Sequence, residues 1–265
     1  MRYRTGTIAL SDTQDYPLLR RVLHCGFATS AQQYEFLKLD YCVSSRNAFD
    51  NRVRRLVKHG LLVRYEFSDM NRGVVYSVSE AGASELIGRG EYYAGNIDRR
   101  KQPNRHVHHA LELNEIHLAL KRTGVMIQWT PETDIRSYNE FTGSGYSKDY
   151  DALVSVRVGE QECRFALEYE RTPKAKWRYT MIQARIESET SVPHFLYLAS
   201  NYDLLLFLTR RFETCRRLVY FGLSKDFLAC PLDLGVRSNR SLFSTTLRAI
   251  LTAGPVVPPR RAMMV

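Results

Sequence analysis

The stretch that most constrains the fold runs from Ala28 to Val78, and at its centre lies Ser44-Ser-Arg-Asn-Ala-Phe-Asp-Asn-Arg-Val-Arg-Arg-Leu-Val-Lys-His-Gly60. Phe49, Val53 and Leu56 recur at four- and three-residue spacing and share one stripe of a helix, while Asn47, Asn51, Arg54 and Lys58 share the opposite stripe. One side packs, and the other offers amide and basic groups. Ser44 or Ser45 supplies the N-terminal cap and Gly60 the left-handed stop. Beyond Gly60 the period changes. Residues 61–67 and 74–78 are rich in β-branched and aromatic side chains, with turn chemistry between them, and read as a hairpin.

Two further amphipathic helices precede the helix at its centre, at Tyr16–Cys25 and Ser30–Leu39. Helices followed by a hairpin give the order of a winged helix-turn-helix, in which the helix from Ser44 to His59 is the recognition helix. Its width suits the major groove, and its Asn and Arg side chains can read adenine and guanine edges bidentately. The expected DNA contacts are Arg46, Asn47, Asn51, Arg54, Arg55 and Lys58, with Arg72 at the tip of the wing. The competing reading is a solvated basic face, or a winged helix that docks a protein.

The net charge of +10 favours a polyanionic partner. It is shared, since residues 1–105 carry +6 and the remainder +4. The five cysteines form no CxxC pair and are odd in number, so neither a zinc knuckle nor a disulfide framework is indicated, and a reducing cytoplasm fits best. No signal-peptide core is expected, and the longest apolar run, residues 204–208, is too short to span a bilayer. The expected domains are a winged helix-turn-helix over residues 1–90, a linker over 91–104, an α/β domain over 105–253 and a flexible tail over 254–265.

In the second domain a helix over 105–122, with His109, Leu113, Ile116 and Leu120 on one stripe, leads into a strand at 125–129. A polar stretch to Ser147 then precedes strands at 152–158 and 163–170. A helix near 174–189, a strand at 193–199, a helix near 202–215, a last strand at 217–222 and a closing helix at 241–251 complete a mixed-sheet α/β core. Asp149 and Asp151 flank the start of one strand, and Glu168 and Glu170 project from one face of the next. Carboxylates converging in this way can hold Mg²⁺ or Mn²⁺ and activate water against a phosphodiester. Spacing alone favours the plainer reading, in which they are surface groups ion-paired with Arg171, Lys174 and Lys176. His106-Val-His-His109 does not make a metal site, because its spacing cannot turn three rings toward one ion; His109 reads as a core group.

An acidic strand start, a hairpin and then Leu-Glu-x-acid is similar to the restriction-endonuclease-like PD-(D/E)XK superfamily. The chain from about Pro17 to Phe221 more closely resembles the replication-relaxation family of plasmids, phages and integrated elements. The residues that carry the likeness are His109, Trp129 with Glu132, Asp151-Ala152 and Leu167-Glu-Tyr-Glu-Arg171.

The resemblance implies an N-terminal winged helix followed by a restriction-endonuclease-like mixed-sheet domain. Two positions depart from it. Tyr150 stands where a Pro is expected before the acid, and Glu170 stands where a nuclease carries the lysine that orients the attacking water. Lys174 or Lys176 can substitute by leaning in from the following helix, and Gln183 can line the site. The expected function is sequence-specific binding of double-stranded DNA by a mobile-element protein that regulates transcription, replication or transfer, with a nuclease-like domain that has lost cleavage and would need Mg²⁺ or Mn²⁺ only if it were active. One alternative is a Mg²⁺- or Mn²⁺-dependent endonuclease with Asp151, Glu168 and Glu170 as ligands and Lys174 or Lys176 beside the water. The other is a protein-interaction module. A second copy of the chain and other mobile-element proteins are further expected partners, and a membrane is not.

Overall fold

The computed structural model describes residues 8–42, 45–66, 74–91, 104–143 and 145–253. The chain divides into two compact units, residues 1–122 and 123–265. The expected wing tip with Arg72, most of the expected linker and the expected tail lie outside the described residues.

The first unit runs α1 (Asp15–Cys25), β1 (Ala28–Thr29), α2 (Ser30–Leu39), α3 (Arg46–Lys58), β2 (Leu62–Glu66), β3 (Val74–Val78), α4 (Glu80–Ile87) and α5 (Asn104–Arg122). The starts of α2, α3 and α4 are marked chemically. The Thr29 hydroxyl accepts the Gln32 N–H while the Gln32 side chain accepts the Thr29 N–H, a reciprocal cap for α2. Ser45 caps α3 through the Ala48 N–H, and Ser79 caps α4 through the Gly82 N–H. The hairpin pairs Leu62 with Val78 and Glu66 with Val74, and β1 adds to its other edge by pairing with β3. Leu18, Leu19 and Val22 of α1 meet Phe49, Val53 and Leu56 of α3 and Leu62 and Val78 of the hairpin in one core.

Helix α5 belongs to this unit rather than to the one that follows, where its position after the expected linker had placed it. Polar groups explain the attachment. Asn114 Nδ2 donates to the Phe27 carbonyl at 2.8 Å, and Gln32 Nε2 donates to the Leu111 carbonyl at 2.8 Å and to Glu115 at 2.7 Å. Lys121 and Arg122 pair with Asp40 and Glu35. Burial extends well beyond the predicted stripe to Val107, Leu111 and Leu118. The core histidine is His117, its ring 4.8 Å from that of Phe36, and not His109, which is half-buried.

The second unit runs β4 (Met126–Pro131), α6 (Glu132–Phe141), β5 (Ala152–Val158), β6 (Gln161–Glu170), α7 (Lys176–Ser188), β7 (His194–Ala199), α8 (Tyr202–Arg211), β8 (Val219–Leu223), α9 (Ser224–Ala229), β9 (Gly235–Ser238), β10 (Ser241–Thr246) and α10 (Leu247–Thr252). The strands form a single sheet in the order β10-β9-β8-β7-β6-β5-β4. Strands β4, β5 and β6 form an antiparallel meander, β7 and β8 run parallel to β6, and β9 and β10 return antiparallel. This is the mixed sheet that the sequence predicts.

Three details depart from expectation. The polar stretch after β4 contains α6, whose first turn carries Glu132 and Asp134, as the positive end of a helix dipole favours. Strand β8 is not the last, and the predicted closing helix begins only at Leu247, because Ser241 to Thr246 pair with β9. Asn239 fixes that corner: its Nδ2 donates to the carbonyls of Phe212, Cys215 and Arg217, and its Oδ1 accepts the Val219 N–H. On one face of the sheet Leu153, Ala166, Phe195, Tyr197 and Phe221 pack with Tyr179 and Ile186 of α7 and Leu208 of α8.

Tyr41 closes α2 with φ of 57°, a left-handed residue that is 96% exposed. Its N–H and that of Cys42 reach back to Lys38 and Leu37 as in a glycine-type helix stop. The side chain lies almost wholly in solvent while its Cβ strains the turn. Tyr41→Gly is therefore expected to stabilise the chain by ~0.5–1 kcal/mol in urea unfolding; a loss of stability would contradict the reading of Tyr41 as a strained cap.

Candidate functional site

Helix α3 presents two faces of opposite character. Phe49, Val53 and Leu56 are buried, and Asn47, Asn51, Arg54 and Lys58 form an exposed row along the other side. Among the described residues these four have neither a hydrogen bond nor an ion pair, so their donors and acceptors face water. Arg46 and Arg55 are exposed but engaged. Arg46 donates to Asp50 at 3.1 Å and to the Ser30 hydroxyl at 2.7 Å, and lies over the Tyr34 and Phe49 rings. Arg55 pairs with Asp15, a fully buried carboxylate that also accepts the Ser11 N–H at 2.8 Å. Arg52, absent from the expected contacts, is the second half of this clamp: its Nε lies 3.0 Å from Asp15 Oδ1 without pointing at it, so the contact is ionic, and its guanidinium also donates to Gln14. Sequence could mark Arg52 only as a basic residue near the edge of the apolar stripe, since its partner lies in another helix.

The carboxylates meet on the face of the second sheet. Strand alternation sets Glu168 and Glu170 on the same side, and the register places Tyr197 beside Glu168 and Ala152 beside Leu167, so that Asp151 precedes the pairing next to Glu168. Both glutamates are buried. Asp151 accepts the Tyr169 N–H at 2.7 Å. Glu170 pairs with Lys174, the lysine expected to lean in; Lys176 stays exposed at the start of α7, with no ion pair among the described residues. Glu168 pairs with Lys148, which the sequence did not single out. Lys148 Nζ also donates to the Asp149 carbonyl at 3.1 Å and lies 4.8 Å from the Tyr150 ring centroid. It precedes β5, where no alternation predicts direction, and its only signal was the charge-dense Ser147-Lys-Asp-Tyr-Asp151. Asp149 turns away to Arg136 and Asn139, and Gln183 to the Arg211 carbonyl and Thr214.

Among the described residues no three of His, Cys, Asp and Glu are placed to hold an ion. Ammonium groups lie against both glutamates, Lys148 on Glu168 and Lys174 on Glu170. Among the described residues the buried Tyr197 hydroxyl has no hydrogen-bond partner, but burial and the neighbouring Glu168 and Glu170 hold its pKa well above the usual value. It remains a neutral O–H donor rather than an anionic ligand.

Burial pushes the Glu168 carboxyl from its ordinary 4.5 up to about 7, against the pull of Lys148 and Lys174 and with the repulsion of Asp151. Burial also disfavours charge on Lys174, but Glu170 and Glu168 outweigh it and raise its pKa. The folded state thus binds a proton at Glu168 more tightly than the unfolded chain does, and its stability falls as pH rises between those two values. Glu168→Gln lacks this component. In urea titrations the variant is expected to gain on the wild type by ~1–3 kcal/mol from pH 5 to pH 8; a variant that loses ground over that range would show that the Lys148 ion pair dominates.

No curated protein matches the chain. Among solved structures it is similar to the restriction endonuclease FokI, at 13% identity over 84% of this chain and 44% of that one, with a TM-score of 0.28. It is similar also to FokI bound to DNA, at 12% identity over 70% and 38%, with a TM-score of 0.26. The chain spans less than half the length of these endonucleases, and likenesses so weak add nothing to the strand order itself. The replication-relaxation family model matches residues 19–197, from within α1 through the meander and into β7. That match takes in the α3 row and the Asp151–Glu170 face alike, and the chain belongs to the replication-relaxation family.

Proposed function

We propose that the protein binds double-stranded DNA through α3, reading it in the major groove with Asn47, Asn51 and Arg54 while Lys58 meets the backbone. The observation that carries this is the exposed row of amide and basic groups on a helix whose opposite side is buried and whose flank is clamped to Asp15. Amide and guanidinium side chains held in this way match the paired edges of adenine and guanine. Arg46 and Arg55, engaged within the protein, serve as supports and at most as phosphate contacts. In the replication-relaxation family such binding fits control of transcription, replication or transfer on a mobile element, in a cytoplasmic setting; no helix among the described residues is long and apolar enough to cross a membrane. On a target found by footprinting the protein's genomic neighbourhood, Arg54→Ala is expected to weaken binding by ~1–3 kcal/mol and to relax preference at one base pair. Equal loss on every sequence would reduce Arg54 to a phosphate contact, and binding indifferent to salt would remove the DNA reading altogether.

We further propose that the carboxylate cluster holds the sheet together and does not cleave. Lys148 and Lys174 neutralise Glu168 and Glu170, so the cluster satisfies its own charges. Supercoiled plasmid incubated with Mg²⁺ or Mn²⁺ is expected to stay intact. Metal-dependent nicking by the wild type that disappears in the Asp151→Ala, Glu168→Ala double variant would establish the endonuclease reading instead.

A further inference from the structure

Helix α7 carries a surface that the duplex-reading function leaves unused. From Arg171 to Ile186 the chain has five basic residues and no acidic one. Tyr179 and Ile186 turn inward, and Trp177 and Met181, four residues apart, stand on the opposite side at 60% and 50% exposure. Lys176 flanks this apolar pair on one side, and Arg178 and Arg185, seven residues apart, flank it on the other, all exposed. The Arg178 guanidinium lies 5.5 Å from the Trp177 ring centroid. None of this serves the helix itself. An indole left in water forfeits burial, and Lys176 and Arg178 occupy the first turn, where the dipole disfavours cations and where neither an acidic residue nor a side-chain cap offsets them.

We propose that this face binds single-stranded nucleic acid, with an unpaired base stacked on Trp177 and the phosphates on either side held by Lys176, Arg178 and Arg185. An exposed aromatic ring between cations matches the alternation of base and phosphate along a single strand. A duplex keeps its base faces stacked inside and offers the indole nothing comparable. The chain would then carry separate surfaces for the two forms of DNA: the α3 row for duplex and the α7 face for strands opened from it. This goes beyond the duplex reading and does not depend on it.

The test uses the full chain carrying Trp129→Phe, so that Trp177 is the only indole, titrated with oligo(dT). The expected result is saturable quenching of Trp177. With three phosphates neutralised, apparent affinity falls about 20-fold when salt rises fourfold. Trp177→Ala in the otherwise native chain, followed by anisotropy of labelled oligo(dT), is expected to weaken binding roughly 5- to 100-fold; its exposed side chain makes this variant safe for folding. Neutralising Arg178 and Arg185 should flatten the salt dependence, and Asn51→Ala with Arg54→Ala should leave the quenching intact. Trp177 fluorescence that ignores oligo(dT), or anisotropy unchanged by Trp177→Ala, would overturn the proposal, as would quenching by duplex alone. Quenching that survives while duplex binding is absent would sink the α3 reading and leave this one standing.

Discussion

A carboxylate with no exposure to solvent fixes the geometry on which the proposed function depends. Asp15 opens α1, where the helix dipole favours a negative charge, and it receives Arg52 and Arg55 from α3 and the Ser11 N–H from the preceding turn. Leaving such a charge buried without its partners costs several kcal/mol, of order 3–5 when the pair is fully enclosed and less here because Arg55 is half-exposed. The clamp therefore sets the rotation of α3 about its own axis. Once Arg52 and Arg55 turn toward α1 and Phe49, Val53 and Leu56 toward the core, Asn47, Asn51, Arg54 and Lys58 can only face outward. Recognition of base edges needs this rigidity, because side chains on a helix free to roll would spend binding energy on ordering.

The second unit solves a related problem in the opposite way. It gathers carboxylates on an apolar sheet face, beside Tyr150, Tyr179 and Tyr197, and neutralises them with lysines from just before β5 and just after β6. The register of β5 and β6 brings Asp151 and Glu168 together, and the positive charges beside the cluster come from Lys148 and Lys174. A sheet built this way keeps its shape and its basic exterior. That exterior is most evident on α7, whose acid-free first half lies toward solvent.

Much of this was legible in the chain because local periodicity carried it. The α3 stripes, the hairpin and strands β5, β6 and β7 follow from spacing that the backbone itself imposes. What could not be read depended on contacts distant in sequence. Helix α5 joins the first unit through Asn114 and Gln32, polar residues whose burial no hydropathy pattern announces. His117 rather than His109 enters the core because α5 is enclosed on more than one side. Strand β10 looked helical because Ser241 to Thr246 adjoin a true helix, and only pairing with β9 decides their state. In the carboxylate cluster the acids were found by alternation, whereas Lys148 lies before its strand begins, where alternation has nothing to say.

The central claim is that α3 lies in the major groove of duplex DNA. Methylation interference on a bound target tests it most directly, since a methyl group on guanine N7 occupies the major groove and leaves phosphates and the minor groove untouched. The account predicts that N7 methylation of one or two guanines abolishes binding, and that Arg54→Ala removes the effect at one of them. Interference confined to ethylated phosphates, with every N7-methylated guanine tolerated, would contradict it.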